Sequence, residues 1–219
     1  MRNLEKDAVE MAARREAMLE TGFRLFSEQS IDAVSMSTVA DTCGLGIATL
    51  YRYFNTKLIF VIAVGTRQWE LYHREAIERW NARECEQMTA AQALEAYLDG
   101  FIRLYRERRD LLRFNQFFNI YVMQERATAE QLKPYLDITN KFGGLFQSIY
   151  RRAMEDGTLR TELPVNKLFA ASVHLMLAAA TRYAVGLVYL PEEAGDPVEE
   201  LILLKTMILN TFRTGNDMP

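Results

Sequence analysis

The chain has 219 residues, 49% of them apolar, and a formal net charge of −3, so it holds enough apolar mass for a buried core and is neither a disordered tail nor a protein coated in positive charge. Its two cysteines, Cys43 and Cys85, stand far apart without metal-type spacing, which excludes a disulfide framework and points to a reducing compartment. No apolar run reaches the ~18 residues of a membrane span, and the N-terminus lacks the apolar core of a secretion signal; a cytoplasmic protein with no membrane partner is expected.

Runs rich in Ala, Leu, Glu, Arg, Met and Gln, without an alternating β-branched stretch, predict an all-α fold of about nine helices. Residues 1–9 mix both charges and are expected as a loose arm. Met11, Met18, Leu19, Gly22, Leu25 and Phe26 then recur at helical spacing and predict an amphipathic first helix over 10–28. Ser-Ile-Asp-Ala-Val-Ser breaks it, and Ser35 is placed to cap a short helix over 36–42 that turns Met36, Val39 and Ala40 inward. Cys-Gly-Leu reads as a turn in which Gly44 takes the positive φ of a sharp bend, ahead of a third short helix over 47–53. Asn55 or Thr56 offers a cap to a fourth helix ending near 83. Further helices are predicted near 89–109, 111–126, 128–156, 164–189 and 197–213. Gly157 ends one of them, Pro164 stands near the start of the next, Pro191 follows the eighth, and Asp196–Pro197 supplies a cap and a first-turn proline.

Two short helices joined by a glycine-bearing turn make a helix-turn-helix, whose second helix enters the major groove of DNA. Ala40, Gly44 and Ala48 are small enough to let two helices approach closely, and Leu50 and Phe54 are the expected buried anchors. Neighbours on a helix diverge by about 100°, so Tyr51 and Tyr53 cannot both join those anchors. The run VSMSTVADTCGLGIATLYRYFNTK, Val34 to Lys57, resembles the signature of the tetR (tetracycline-repressor) family of transcription regulators, and GFRLFSEQSIDAVS upstream resembles the same family's first-helix end and loop.

That resemblance implies a DNA-binding domain over residues 1–57 and a ligand-binding and dimerisation domain over 58–219. It implies that Ser37 and Thr38 touch phosphate or an adjacent base and that Ile47, Ala48 and Thr49 form the reading face. Tyr51 and Tyr53 would reach the sugar–phosphate backbone, and Lys57 would pair with a phosphate. Two positions depart from the family pattern of Ser or Thr followed by a polar residue. Gly46 lacks a side-chain cap worth about 0.2–0.5 kcal/mol relative to serine. Ile47 packs on a thymine methyl instead of hydrogen-bonding a base edge, so an A·T-containing half-site is expected. Arg52 adds charge to a head that is not basic overall, and affinity is expected from few phosphate contacts plus dimerisation.

The last helix is apolar around most of its circumference, with a polar strip through Glu199, Thr206 and Asn210; a helix buried on two sides meets both its own core and a partner. Ala178, Ala179 and Ala180 in the eighth helix permit close approach of another helix. The resemblance implies the same outcome, a homodimer through the last two helices on a pseudo-palindromic double-stranded DNA operator. The aromatic stripes of the middle helices are core by default, but the resemblance implies a pocket there for a small apolar or amphipathic effector. The candidate contacts are Phe117, Phe118, Tyr121, Phe142, Phe146 and His174, bordered by Asn115, Gln116 and Asn119. No metal, cofactor or catalytic residue is expected: Glu70-x-x-His73 has no second such unit, because Ala171 precedes His174 by three positions, and no phosphate-cradling glycine loop occurs. The sequence therefore reads as a ligand-responsive, DNA-binding transcriptional regulator, a repressor released by its effector. The alternative is a dimeric small-molecule-binding or scaffolding protein with a degenerate reading head.

Overall fold

The computed structural model describes residues 4–82, 85–162, 164–186 and 196–214. They form α1 (Leu4–Gln29), α2 (Met36–Thr42), α3 (Ile47–Tyr53), α4 (Lys57–Ala82), a 3-10 turn (Cys85–Gln87), α5 (Ala90–Glu107), α6 (Arg109–Gln124), α7 (Ala129–Asp156), α8 (Val165–Val185) and α9 (Pro197–Phe212). The expected all-α class is observed, and the one β feature among the described residues is an isolated antiparallel bridge between Leu159 and Arg213.

Most helix ends fall within a few positions of those read from sequence because caps and breakers act locally. The Ser35 Oγ accepts from the Thr38 N–H at 3.0 Å, and the Thr56 Oγ1 accepts from the Ile59 N–H at 3.2 Å. Thr89 and Gln92 form a reciprocal capping box ahead of α5, and Asp196 accepts from the Val198 N–H with Pro197 at the first position of α9. Gly157 closes α7 at φ +66°. The main correction is at the N-terminus: the segment expected as a loose arm is helical from Leu4, since nothing from Leu4 to Val9 interrupts the run that α1 continues. Residues 1–3 and Pro191 lie outside the described residues.

By packing, the chain divides into two compact units, Met1–Leu71 with Arg113–Ile138 and Tyr72–Leu112 with Thr139–Pro219. The core of the first unit gathers Met18, Leu19 and Phe26 of α1, Val39 and Leu50 of the two short helices, and Phe60 of α4, all essentially without solvent contact. Gly22 is required there: a Cβ on it would stand 2.5 Å from the Phe60 ring, so α1 approaches α4 only because that side chain is absent. Farther along α4 a buried polar chain crosses three helices. The Trp69 indole N–H donates to the Tyr135 hydroxyl at 3.1 Å, and that hydroxyl donates to the Asn115 Oδ1 at 2.9 Å, while Phe118 stacks on the Tyr135 ring at 4.3 Å. Buried polar groups satisfied in this way specify one arrangement of the helices that carry them.

In the second unit α5 packs against both α8 and α9. Leu94, Leu98, Leu104, Phe146, Met176 and Leu201 are its buried mass. α8 is the one described helix long and apolar enough to cross a bilayer unbent. Its buried Leu168, Ser172, Met176, Ala180 and Ala184 recur at the spacing of a helix packed on one side against protein.

α9 is tied to α5 by charge. Lys205 donates to Glu95 at 3.1 Å and to Asp99 at 2.9 Å, and Arg213 donates to Glu95 at 2.7 Å. Burial alone would raise the Glu95 pKa, but the hydrogen bonds and charges of Lys205 and Arg213 outweigh it and hold the carboxyl below its usual value. A depressed carboxyl stabilises the fold fully above its unfolded pKa, and that contribution disappears as pH falls through the folded pKa. Resistance of the wild type to urea is therefore expected to fall as pH drops through and below the ordinary carboxylate range. Glu95→Gln should show a shallower acid limb, and an identical limb in the variant would remove this network from the acid response.

Candidate nucleic-acid interface

α2 and α3 are joined by a bend at Gly44, whose φ of +66° is costly for any residue with a Cβ. The bend is closed by backbone bonds from the Gly44 N–H to the Asp41 oxygen and from the Leu45 N–H to the Ala40 oxygen. Ala40 is buried as expected, but Gly44 and Ala48 face solvent, and the space a Cβ on Gly44 would fill is open. The glycine therefore serves the backbone turn and not helix–helix approach.

The two faces of α3 separate by helical spacing. Leu50 and Phe54 are 0% and 2% exposed, and Phe54 packs on Phe60 with ring centroids 4.9 Å apart. Arg15 from α1 lies 5.4 Å over the centroid of the same Phe54 ring. Ile47 and Tyr51 are 44% and 43% exposed, and Ala48 and Arg52, farther round the helix from Leu50, are exposed as well. Thr49 and Tyr53 are half-buried at the edges of that face. Gly46 is exposed in extended conformation at the N-cap and supplies no side-chain bond to the helix start. Ser37 and Thr38 are exposed on α2; the Thr38 hydroxyl is 2.8 Å from that of Ser35, and the Ser37 hydroxyl makes a long 3.4 Å bond to Asp41. Nine of the ten residues singled out in the sequence lie on α2, at the N-cap of α3 or on α3; seven of them are exposed, and Thr49 and Tyr53 are half-buried.

Lys57 is the exception. Its ammonium donates to the Ile31 carbonyl oxygen at 2.6 Å and lies 5.3 Å over the centroid of the Tyr121 ring. Burial lowers its pKa, against the raising effect of Asp32 and Glu125. The ammonium of this half-buried lysine is engaged by a carbonyl and an aromatic face that stand within reach of the root of α4. Sequence carried no signal of these partners.

The residues expected around an effector divide between the units. In the first, Phe118 and Tyr121 are buried and Phe117 is half-buried; Phe118 belongs to the stack on Tyr135 and Tyr121 to the seat of Lys57. In the second, Phe142 lies against Tyr72 and His73, and Phe146 packs between Tyr97 and Phe169. His174 is exposed on α8, next to Leu175 at 51% exposure, and so stands away from the aromatic cluster. Of the bordering polar groups, Asn115 is bound to Tyr135 and Asn119 is exposed. The second unit holds a cleft of about 440 Å³ lined by Ile77, Trp80, Asn81, Leu145, Ser148, Arg151, Arg152 and Glu155, which sequence reasoning did not identify. Among the described residues no group of His, Cys, Asp or Glu is arranged to hold a metal ion.

Among the described residues, α2, the bend at Gly44 and α3, anchored by Leu50 and Phe54, have the arrangement of a helix-turn-helix. Residues 18–64 match the family described as bacterial regulatory proteins, tetR family. Over 54 residues, 25% of this chain, it is 37% identical to an HTH-type transcriptional regulator of Staphylococcus aureus (strain bovine RF122 / ET3-1), of whose length the match covers 28%. The likeness of fold extends further. A putative transcriptional regulator from Saccharomonospora viridis in complex with choline superposes with a TM-score of 0.70 at 18% identity, over 93% of this chain and 99% of that one. The transcriptional regulator FadR from Bacillus subtilis in complex with stearoyl-CoA superposes with a TM-score of 0.64 at 16% identity, over 89% and 97% of the two chains.

Proposed function

We propose that this protein is a cytoplasmic, dimeric, DNA-binding regulator of transcription whose DNA affinity responds to a small molecule, with residues 1–57 as the DNA-binding domain and 58–219 as the ligand and dimer domain. The observation that carries the reading is the two-faced α3, where buried Leu50 and Phe54 press Ile47, Ala48, Tyr51 and Arg52 outward. An exposed isoleucine is suited to a thymine methyl, and the tyrosine hydroxyls and Arg52 to the backbone of an A·T-containing half-site. The uncovered apolar residues of α8 and α9, Leu175, Val185, Ile202, Leu203 and Met207, support a two-helix contribution from each subunit to a dimer. Two-fold symmetry then sets the reading helices for a pseudo-palindromic operator.

The effector reading is supported by the aromatic cluster of the second unit around Phe142 and Phe146, and by the cleft in which Trp80, Ile77 and Leu145 meet Arg151 and Arg152. Such a lining suits an amphipathic molecule with an anionic group. An effector that prefers the conformation unable to dock on DNA releases repression. Coupling of about 1–3 kcal/mol changes DNA affinity about 5–150-fold, and DNA weakens the effector by the same factor.

The test is a salt titration of binding to a duplex carrying the sequence that the wild-type protein selects from a random pool. Log affinity is expected to fall linearly with log salt, and Arg52→Ala to flatten the slope by about one phosphate. Tyr51→Phe should weaken binding about 2–10-fold with unchanged urea stability, since only an exposed hydroxyl is lost. Binding that ignores salt and sequence would instead support the dimeric ligand-binding or scaffolding protein with a degenerate head.

A further inference from the structure

The helical glycines of this chain differ in what demands them. A Cβ on Gly65 would stand 3.2–3.3 Å from the rings of Phe114, Phe118 and Tyr135, so packing requires that glycine as it requires Gly22. Gly143 and Gly144, side by side within α7, are different. A Cβ on Gly143 would meet only the edge of the Phe169 ring at 3.9 Å, an ordinary contact, and one on Gly144 would meet nothing within 4 Å. Neither has a positive φ, so alanine fits both positions in space and in backbone. Each glycine nonetheless makes the helical state about fourfold less favoured than alanine would. The surroundings do not compensate. From Thr139 to Leu145, about two helical turns, no residue is buried, whereas Phe146, Ile149 and Ala153 farther along α7 are. Low burial and two glycines in one place mark a stretch whose hydrogen bonds open before those of its neighbours.

The pair also stands between two features of the second unit. Leu145 lines the cleft beside Trp80, and the next residue, Phe146, packs in the aromatic cluster with Tyr97 and Phe169. On the other side of the pair, the Phe142 ring lies 6.1 Å from that of Tyr72 and edge-on to His73 at 5.0 Å, centroid to centroid. Tyr72 is held from behind, its hydroxyl donating to the Gly100 oxygen of α5 at 3.0 Å. We propose that Gly143–Gly144 is a soft turn of α7 that opens locally, lifting Phe142 from a stationary Tyr72 and admitting a small amphipathic molecule from the cleft to the aromatic cluster. The gate rests on the effector reading above and gives that effector its entry route. Because the helix re-forms behind the molecule, the pair sets how fast it enters and leaves and not how tightly it is held.

Gly143→Ala/Gly144→Ala tests the gate, with Gly100→Ala, the same change at a roomy helical position of α5, as the control. Hydrogen exchange of the wild type is expected to show the amides from Gly143 to Ser148 opening faster than those from Ile149 to Ala153, and the double variant should slow them about tenfold or more. Entry is followed by stopped-flow fluorescence with anilinonaphthalene sulfonate, an amphipathic anion, through energy transfer from tryptophan. Trp80→Phe identifies the part of that signal which comes from the cleft. The double variant should take up and release the probe about tenfold more slowly than the wild type, at an affinity within about twofold, and Gly100→Ala should match the wild type. Wild-type amides across the pair that exchange no faster than their neighbours overturn the soft turn. Equal slowing of the probe by Gly100→Ala makes the effect a general stiffening and overturns the gate. A wild type with no Trp80-dependent signal overturns the effector reading and the gate with it, whereas Trp80-dependent binding with unchanged rates in the double variant overturns the gate alone.

Discussion

Leu50→Ala is expected to destabilise the first unit by about 2–5 kcal/mol, because a leucine with no solvent exposure leaves a cavity that its neighbours fill only in part. Leu50 is the middle of a short helix that has no side-chain cap at its N-terminus, so α3 depends on burial more than on its own hydrogen bonds. Its loss is expected to release the face that carries Ile47 and Tyr51 as well, and DNA binding should fail with the fold of the head. Differential scanning calorimetry with far-ultraviolet circular dichroism checks this. A variant melting at the wild-type temperature would show that the leucine is not the anchor, and an intact helix-turn-helix with lost DNA binding would place Leu50 in contact with DNA. Phe54→Leu, which keeps an apolar group at the second anchor, should be far milder.

Glutamates at Leu203 and Met207 are expected to break the proposed dimer. These two side chains are 61% and 58% exposed in the single chain, one turn apart on α9, and Leu175 and Val185 on α8 are similarly uncovered. Charges placed there cost little in the isolated subunit, where the positions face water, but in a two-fold interface they are dehydrated and set against their own symmetry copies. Sedimentation equilibrium should show Leu203→Glu/Met207→Glu as a monomer at concentrations where the wild type is a dimer, with helix content retained. Affinity for a pseudo-palindromic duplex should fall about 10²-fold or more, since the second half-site contact becomes bimolecular. A double variant that stays dimeric would move the interface elsewhere. A monomer that still binds the full duplex as tightly as the wild type would remove dimerisation from the DNA-binding mechanism.

The helix-turn-helix was legible in the residues because its determinants are short-range. Ser35 caps α2 by accepting from an N–H three residues on, Gly44 supplies a backbone angle at its own position, and Leu50 and Phe54 stand four positions apart on the same side. The same locality explains why nine of the ten candidate contact residues lie close in sequence on α2, the cap of α3 and α3. Where the sequence reading failed, a distant partner was involved. The resemblance assigned Lys57 to a phosphate, and the fold adds contacts of its ammonium with a carbonyl 26 positions earlier and an aromatic ring on α6 that no neighbouring residue announces. The candidate effector residues were grouped by aromatic spacing, and packing divided them, assigning Phe118 and Tyr121 to one unit and Phe142 and Phe146 to the other.

The amino-acid sequence by itself determined the helical class, most helix boundaries, the bend between α2 and α3 and the two faces of the reading helix, since each depends on propensity, capping or a 3.6-residue period acting over a few neighbours. Tertiary structure alone decided which small residues and which polar groups matter. Gly22 matters because the Phe60 ring fills the place of its Cβ, and Trp69, Tyr135 and Asn115 because three helices bring groups 66 and 20 positions apart within hydrogen-bond reach. Those contacts are properties of how helices pack, and packing depends on the shapes of side chains that share no local pattern.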